Sequence, residues 1–78
     1  MQLTQQVREY LSKTDADFRR LYEKHQEHEQ ELDALAKKGF LSADEELHVA
    51  EVKKKKLTIK DQMVAIAKKH ETQLKDIQ

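Results

Sequence analysis

Along the first half of the chain, positions that can face a partner recur in alternating steps of three and four. The run reads Thr4, Val7, Leu11, Thr14, Phe18, Leu21, His25, His28, Leu32, Leu35. After a lone glycine the rhythm resumes as Val49, Val52, Lys56, Ile59, Met63, Ile66, His70, Gln73, Ile77. Such spacing keeps one side of a helix turned toward a neighbouring helix. Some of these positions are polar, but the phase does not slip. The pattern predicts one domain over 1–78, with a helix over about 2–38, a turn at 39–42 and a helix over about 43–77.

The connection explains itself residue by residue. Lys37 and Lys38 close the first helix, where the helix dipole favours cations. Gly39 can take the left-handed conformation that ends a helix, with Phe40 or Leu41 available for the accompanying apolar contact. Ser42 and Glu45 form a capping box for the second helix. So short a link makes the two helices antiparallel neighbours.

Folding the chain about this turn pairs Leu32 with Val49, His28 with Val52, His25 with Lys56, Leu21 with Ile59 and Phe18 with Met63. The same register continues through Thr14 with Ile66 and Leu11 with His70 to Thr4 with Ile77. The predicted fold is therefore all-α: an antiparallel two-helix coiled-coil hairpin. Residues 12–17 carry the one signal for a break, because Thr14, Asp15 and Asp17 can cap a new helix. The continuous seam favours a straight or gently kinked helix there.

Composition narrows the class. Of 78 residues 38% are charged and 37% hydrophobic, with no Pro, Cys or Trp. That supplies a stripe along a helix rather than a globular core, and no disulfide or thiolate metal site. No segment approaches ~18 uninterrupted apolar residues, and the first residues lack the basic and apolar regions of a signal peptide. The expectation is a soluble, cytoplasmic protein with no membrane contact.

The net charge is zero, yet the charge is unevenly placed. Folded as a hairpin, the slab nearest the turn, 28–53, carries a net −4, and the next slab, 19–27 with 54–62, a net +4. A dipolar rod with an acidic tip and a basic belt follows. Arg19, Arg20, Lys24, Lys54, Lys55 and Lys60 form the belt, within the lysine-rich stretch Lys53–Lys60. It suggests nucleic acid, but consecutive helical lysines point around the cylinder rather than along one phosphate track. A solvated face paired with carboxylates is the plainer reading.

His25 and His28 lie three apart, with Glu29 one turn beyond His25. Metal binding would use these ligand types, but the register sets Lys56 and Val52 opposite them. The three polar residues His25, His28 and Lys56 read better as a polar seam layer that penalises slipped registers. No nucleophile–base pair, phosphate loop or paired-carboxylate cleft can be assembled, and two helices should not enclose the ~300 Å³ of a small-molecule pocket. Neither catalysis, cofactor nor small-molecule substrate is expected.

The segment Phe18-Arg19-Arg20-Leu21 with His25, then Gly39, Glu46-Leu47 and Val52 through Asp61, resembles the YdcH-like family of small bacterial proteins. That family pairs a Phe-x-x-Leu-x-x-x-His helix with a Leu-Lys-Lys-x-Lys-Leu-x-Leu-Lys-Asp helix. The likeness covers about residues 15–64 and implies a bacterial, cytoplasmic helical hairpin, with no mechanism attached. It departs at His28, where the pattern usually has an apolar residue.

Each predicted helix spans ~50–55 Å. One seam leaves a second stripe open: Leu47, Ala50, Leu57, Val64, Ala67 and Leu74, with Tyr10 and Tyr22 across from it. Its presence predicts assembly into a helical bundle, as a homodimer or on a helical protein partner. The function expected is a protein-interaction or adaptor module. A nucleic-acid accessory protein using the belt, or a metal-responsive protein using His25 and His28, stand as alternatives.

Overall fold

The computed structural model describes residues 3–75, and all of its regular structure is helical. Helix α1 runs Gln5–Thr14, α2 Ala16–Ala36, α3 Ala43–Lys69 and the short α4 Glu71–Leu74. The outer ends of both predicted helices and the pairing of Thr4 with Ile77 fall partly outside the described residues.

The turn forms as the sequence requires. Gly39 has φ 71°, a conformation that only glycine adopts without strain. Leu41 is half-buried in a groove with Leu32, Ala36 and Val49, whereas Phe40 is 85% exposed. At the start of α3, the Glu45 amide donates to Ser42 Oγ at 3.2 Å, and the Ser42 amide donates to Glu45 Oε1 at 3.1 Å. Lys38 closes the loop by pairing with Glu45.

The Lys38 ammonium, helped by the Ser42 amide, holds the Glu45 carboxyl down to about 2 from its ordinary 4.5. A carboxylate lowered in this way stabilises the fold above pH 4.5, and that contribution disappears as pH falls from 4.5 toward 2. At neutral pH, Ser42→Ala is expected to cost ~1 kcal/mol through the lost cap, which thermal denaturation would register.

Helices α2 and α3 run antiparallel, with Lys38–Glu45, Glu31–His48 and Glu29–Lys56 as successive cross-links away from the turn. Phe18, Leu21, Ile59 and Met63 meet in one apolar cluster, as the predicted register has them. Near the turn the seam is thinner: Val52 is buried, while Leu32, Leu35 and Val49 are only half-buried. Two helices alone cannot exclude water from both sides of a seam.

The first helix departs from the prediction. Residues 2–38 are not one helix; the chain breaks at Asp15, whose backbone is extended (φ −132°, ψ 114°). Asp15 Oδ1 accepts from the Phe18 amide at 2.9 Å, capping α2. Helix α1 then folds back along the pair, bringing Leu3 and Arg8 into one groove with His25, Glu29 and Val64. The molecule measures 46 × 20 × 18 Å, shorter and thicker than the predicted rod.

Folding back changes what the seam positions do. Thr4 is an N-cap, accepting from the Val7 amide at 3.2 Å, and the Thr14 hydroxyl donates to the Tyr10 carbonyl at 2.9 Å. His70 does not face Leu11 as a seam residue. It ends α3, and its Nε2 lies 3.1 Å from Asp15 Oδ2, tying the two breaks together. Tyr10 donates to Gln73 Oε1 at 3.4 Å beside it. Val7 and Leu11 join Phe18, Met63, Ala67 and Leu74 as fully or almost fully buried. The core therefore sits at the open end, where three layers of helix enclose it.

Candidate interaction surface

The predicted second stripe is split by this arrangement. Ala67 and Leu74 are wholly buried in the core rather than offered to a partner. Leu47 and Leu57 stay 62% and 60% exposed, Ala50 is exposed and Val64 half-buried. The cause is geometric. Residues repeating every seven drift by ~20° per heptad around a straight helix, so the far end of the stripe turns inward. Helix α1 then covers it. Tyr10 and Tyr22, placed across from the stripe by the sequence, pack against the same core, and Tyr22 meets Phe18 edge to face at 6.4 Å.

Two open grooves flank the α2–α3 pair. One, of about 870 Å³, has Leu21 and Ile59 in its lining with Arg20 and Lys24 on α2 and Lys54 and Lys55 on α3. Asp17, at 2.7 Å from Arg20, partly offsets one of these charges. The other, of about 670 Å³, lies where α1 returns and gathers Arg8, Lys53, Lys56 and Lys60 around Leu57 and Val64. The basic belt is thus two clusters on opposite sides of the hairpin, with Lys60 apart from Arg20, Lys24, Lys54 and Lys55. Arg19 is exposed and lines neither groove. Arg8, remote from the belt along the chain, reaches it only because α1 folds back.

The polar layer is divided too. His25 lines the second groove and His28 the first. Lys56 does not sit in the seam as a bare charge but pairs with Glu29 at 2.7 Å, an ion pair that lowers the Glu29 carboxyl below its usual range. His28 Nδ1 is buried and stands 3.8 Å from Glu31 Oε2, too far for a hydrogen bond. Glu31 instead pairs with His48 across the hairpin, and that contact lowers its carboxyl. Among the described residues no three His, Asp or Glu side chains converge to hold a metal ion.

Burial pushes the His25 imidazole below its ordinary 6.5, and Lys56, Arg8 and Lys60 push the same way against Glu29. The unfolded chain thus takes up that proton more readily than the folded one. The stability tied to neutral His25 is complete above pH 6.5 and is lost as pH falls through 6.5 toward the lowered value. His25→Leu is expected to raise the melting temperature at pH 6 more than at pH 8, because it removes this liability. Equal shifts at both pH values in thermal melts would count against it.

Among the described residues no helix is long and apolar enough to cross a membrane. Fold and surface together define a small all-α protein: an antiparallel helix pair, buttressed at one end by a returning helix, with a charged open groove on each side. The chain belongs to the DUF465 family, described as a protein of unknown function, whose model matches residues 18–67; the YdcH-like proteins fall within it. No curated protein and no solved structure matches the chain. The family match covers most of α2 and α3 and leaves α1 and α4 outside it.

Proposed function

We propose that this is a non-enzymatic, cytoplasmic protein-interaction module, an adaptor that binds other helices through its helical faces. The observation that carries the reading is the groove between α2 and α3. Its apolar residues, Leu21 and Ile59, lie between cations on both walls: Arg20 and Lys24 on one, Lys54 and Lys55 on the other. An apolar floor with a polar rim is how proteins bind amphipathic helices. Phosphate backbones need the cations but gain nothing from the floor, and the belt's division between two sides supports a protein partner over nucleic acid.

The test is affinity capture from the native cell with the wild-type chain and with Lys54→Glu/Lys55→Glu. The exposed positions of both lysines leave the helix intact, which circular dichroism would verify. Proteins held by the wild type should be lost from the variant. Identical captured sets would overturn the reading. Retention of duplex nucleic acid that weakens steeply with salt would replace it by the nucleic-acid alternative.

A further inference from the structure

Among the described residues three large apolar side chains are conspicuously exposed: Phe40 at 85%, Leu47 at 62% and Leu57 at 60%. Leu47 and Leu57 share the side of α3 turned away from the buried residues Val52, Ile59 and Met63. The core has claimed the far end of that stripe, since Ala67 and Leu74 are buried, while Ala50 stays exposed and Val64 half-buried. What remains is short and centred close to Val52.

We infer that this face of α3 binds the same face of a second copy of the chain, antiparallel, about a two-fold axis passing near Val52. That axis sets Leu47 against Leu57 of the second copy and, by symmetry, Leu57 against its Leu47. It also brings Glu46 beside Lys60 of the second copy on the same edge of the contact, and carries the exposed Phe40 toward Val64. Each large exposed apolar residue meets an apolar one, and the Glu46–Lys60 pair joins opposite charges at both ends of the contact. Glu51 and Lys53 each approach their own counterpart near the axis, which limits the affinity. A contact that repeats itself in this way is closed and isologous.

The longer-range charge pattern selects the direction. An antiparallel partner lays the acidic slab 28–53, net −4, beside the basic slab formed by 19–27 with 54–62, net +4, and does so twice. A parallel partner would stack like on like, which complementary charges are placed to avoid. The surface available is one exposed helix face, so the dimer is of the small, exchanging class and is weakened by salt.

This inference rests on reading the chain as an interaction module and names its partner on one face. Leu47 and Phe40 line neither α2–α3 groove, so the two proposals separate experimentally. The chain has no cysteine, which allows a clean cross-linking test. Leu47→Cys and Leu57→Cys proteins should form a disulfide-linked dimer when mixed and oxidised, and neither should link to itself. Sedimentation equilibrium of the wild type should show a dimer in exchange with monomer, and Leu47→Asp should halve the mass with the helical spectrum unchanged. Should Leu47→Asp perturb folding, the charge pair decides: Glu46→Lys should weaken the dimer and Glu46→Lys/Lys60→Glu restore it. Self-linking of either cysteine variant, or a monomeric wild type throughout the micromolar range, would overturn the inference. A monomer that still captures other proteins through the α2–α3 groove would leave the proposed function standing.

Discussion

Phe18→Ala is expected to unfold the chain, or leave it a loose helical ensemble without a cooperative melt. Phe18 is wholly buried where α1, α2 and α3 meet, and packs edge to face against Tyr22. Truncating a buried Phe costs ~3–5 kcal/mol, and losing the aromatic pair adds ~0.5–1.5 kcal/mol. A domain of this length rarely has more than ~3–5 kcal/mol in total from a single core. One substitution therefore removes about all of the stability present. Gln26→Ala is the control: the residue is exposed on α2, and the expected change stays within ~0.5 kcal/mol. Thermal melts of both variants would decide, and a cooperative Phe18→Ala transition close to the wild type's would contradict the placement of the core.

The parts of the fold that local chemistry dictates could be read from the sequence. Gly39, the Ser42–Glu45 box and the pairing of Phe18 and Leu21 with Met63 and Ile59 all follow from residue type and spacing. The fate of α1 could not be read so directly. Val7 and Leu11 keep the phase of the seam, so a straight helix and a folded-back one both present them to α3. The difference lies in how much surface each buries, which periodicity does not report. The straight helix would leave Ala67 and Leu74 open on a two-helix ribbon, whereas the returning helix covers them. The surface depends on the same fold-back. Arg8 looked remote from the basic belt, and two of the six stripe residues, Ala67 and Leu74, proved to be core. His25 and His28 looked like neighbours, yet the ~60° between residues three apart on a helix is enough to aim them into different grooves.

Whether α1 stays folded back is set by two opposing quantities, and their sizes give the second large effect. The break at Asp15 is held by a cap, the Phe18 amide on Oδ1 at 2.9 Å, and by His70 on Oδ2 at 3.1 Å. Replacing a capping Asp by Ala costs ~0.5–2 kcal/mol, and alanine is the residue most willing to continue a helix through the break. Against this stands the burial of Val7 and Leu11, at ~1.5–3 kcal/mol for each side chain. Asp15→Ala alone is therefore expected to lower the melting temperature and leave α1 in place. The capping amide and His70 lower the Asp15 carboxyl below its usual 3.8, so its contribution is present above pH 3.8 and lost as pH falls below it. Adding Leu11→Asp removes the larger opposing quantity and buries a charge if α1 stays closed. The double variant should release α1 and continue it into α2 as one straight helix. Small-angle scattering would then show a longest dimension well above 46 Å, with helix content undiminished. An unchanged scattering profile would mean that α1 is held by contacts other than these.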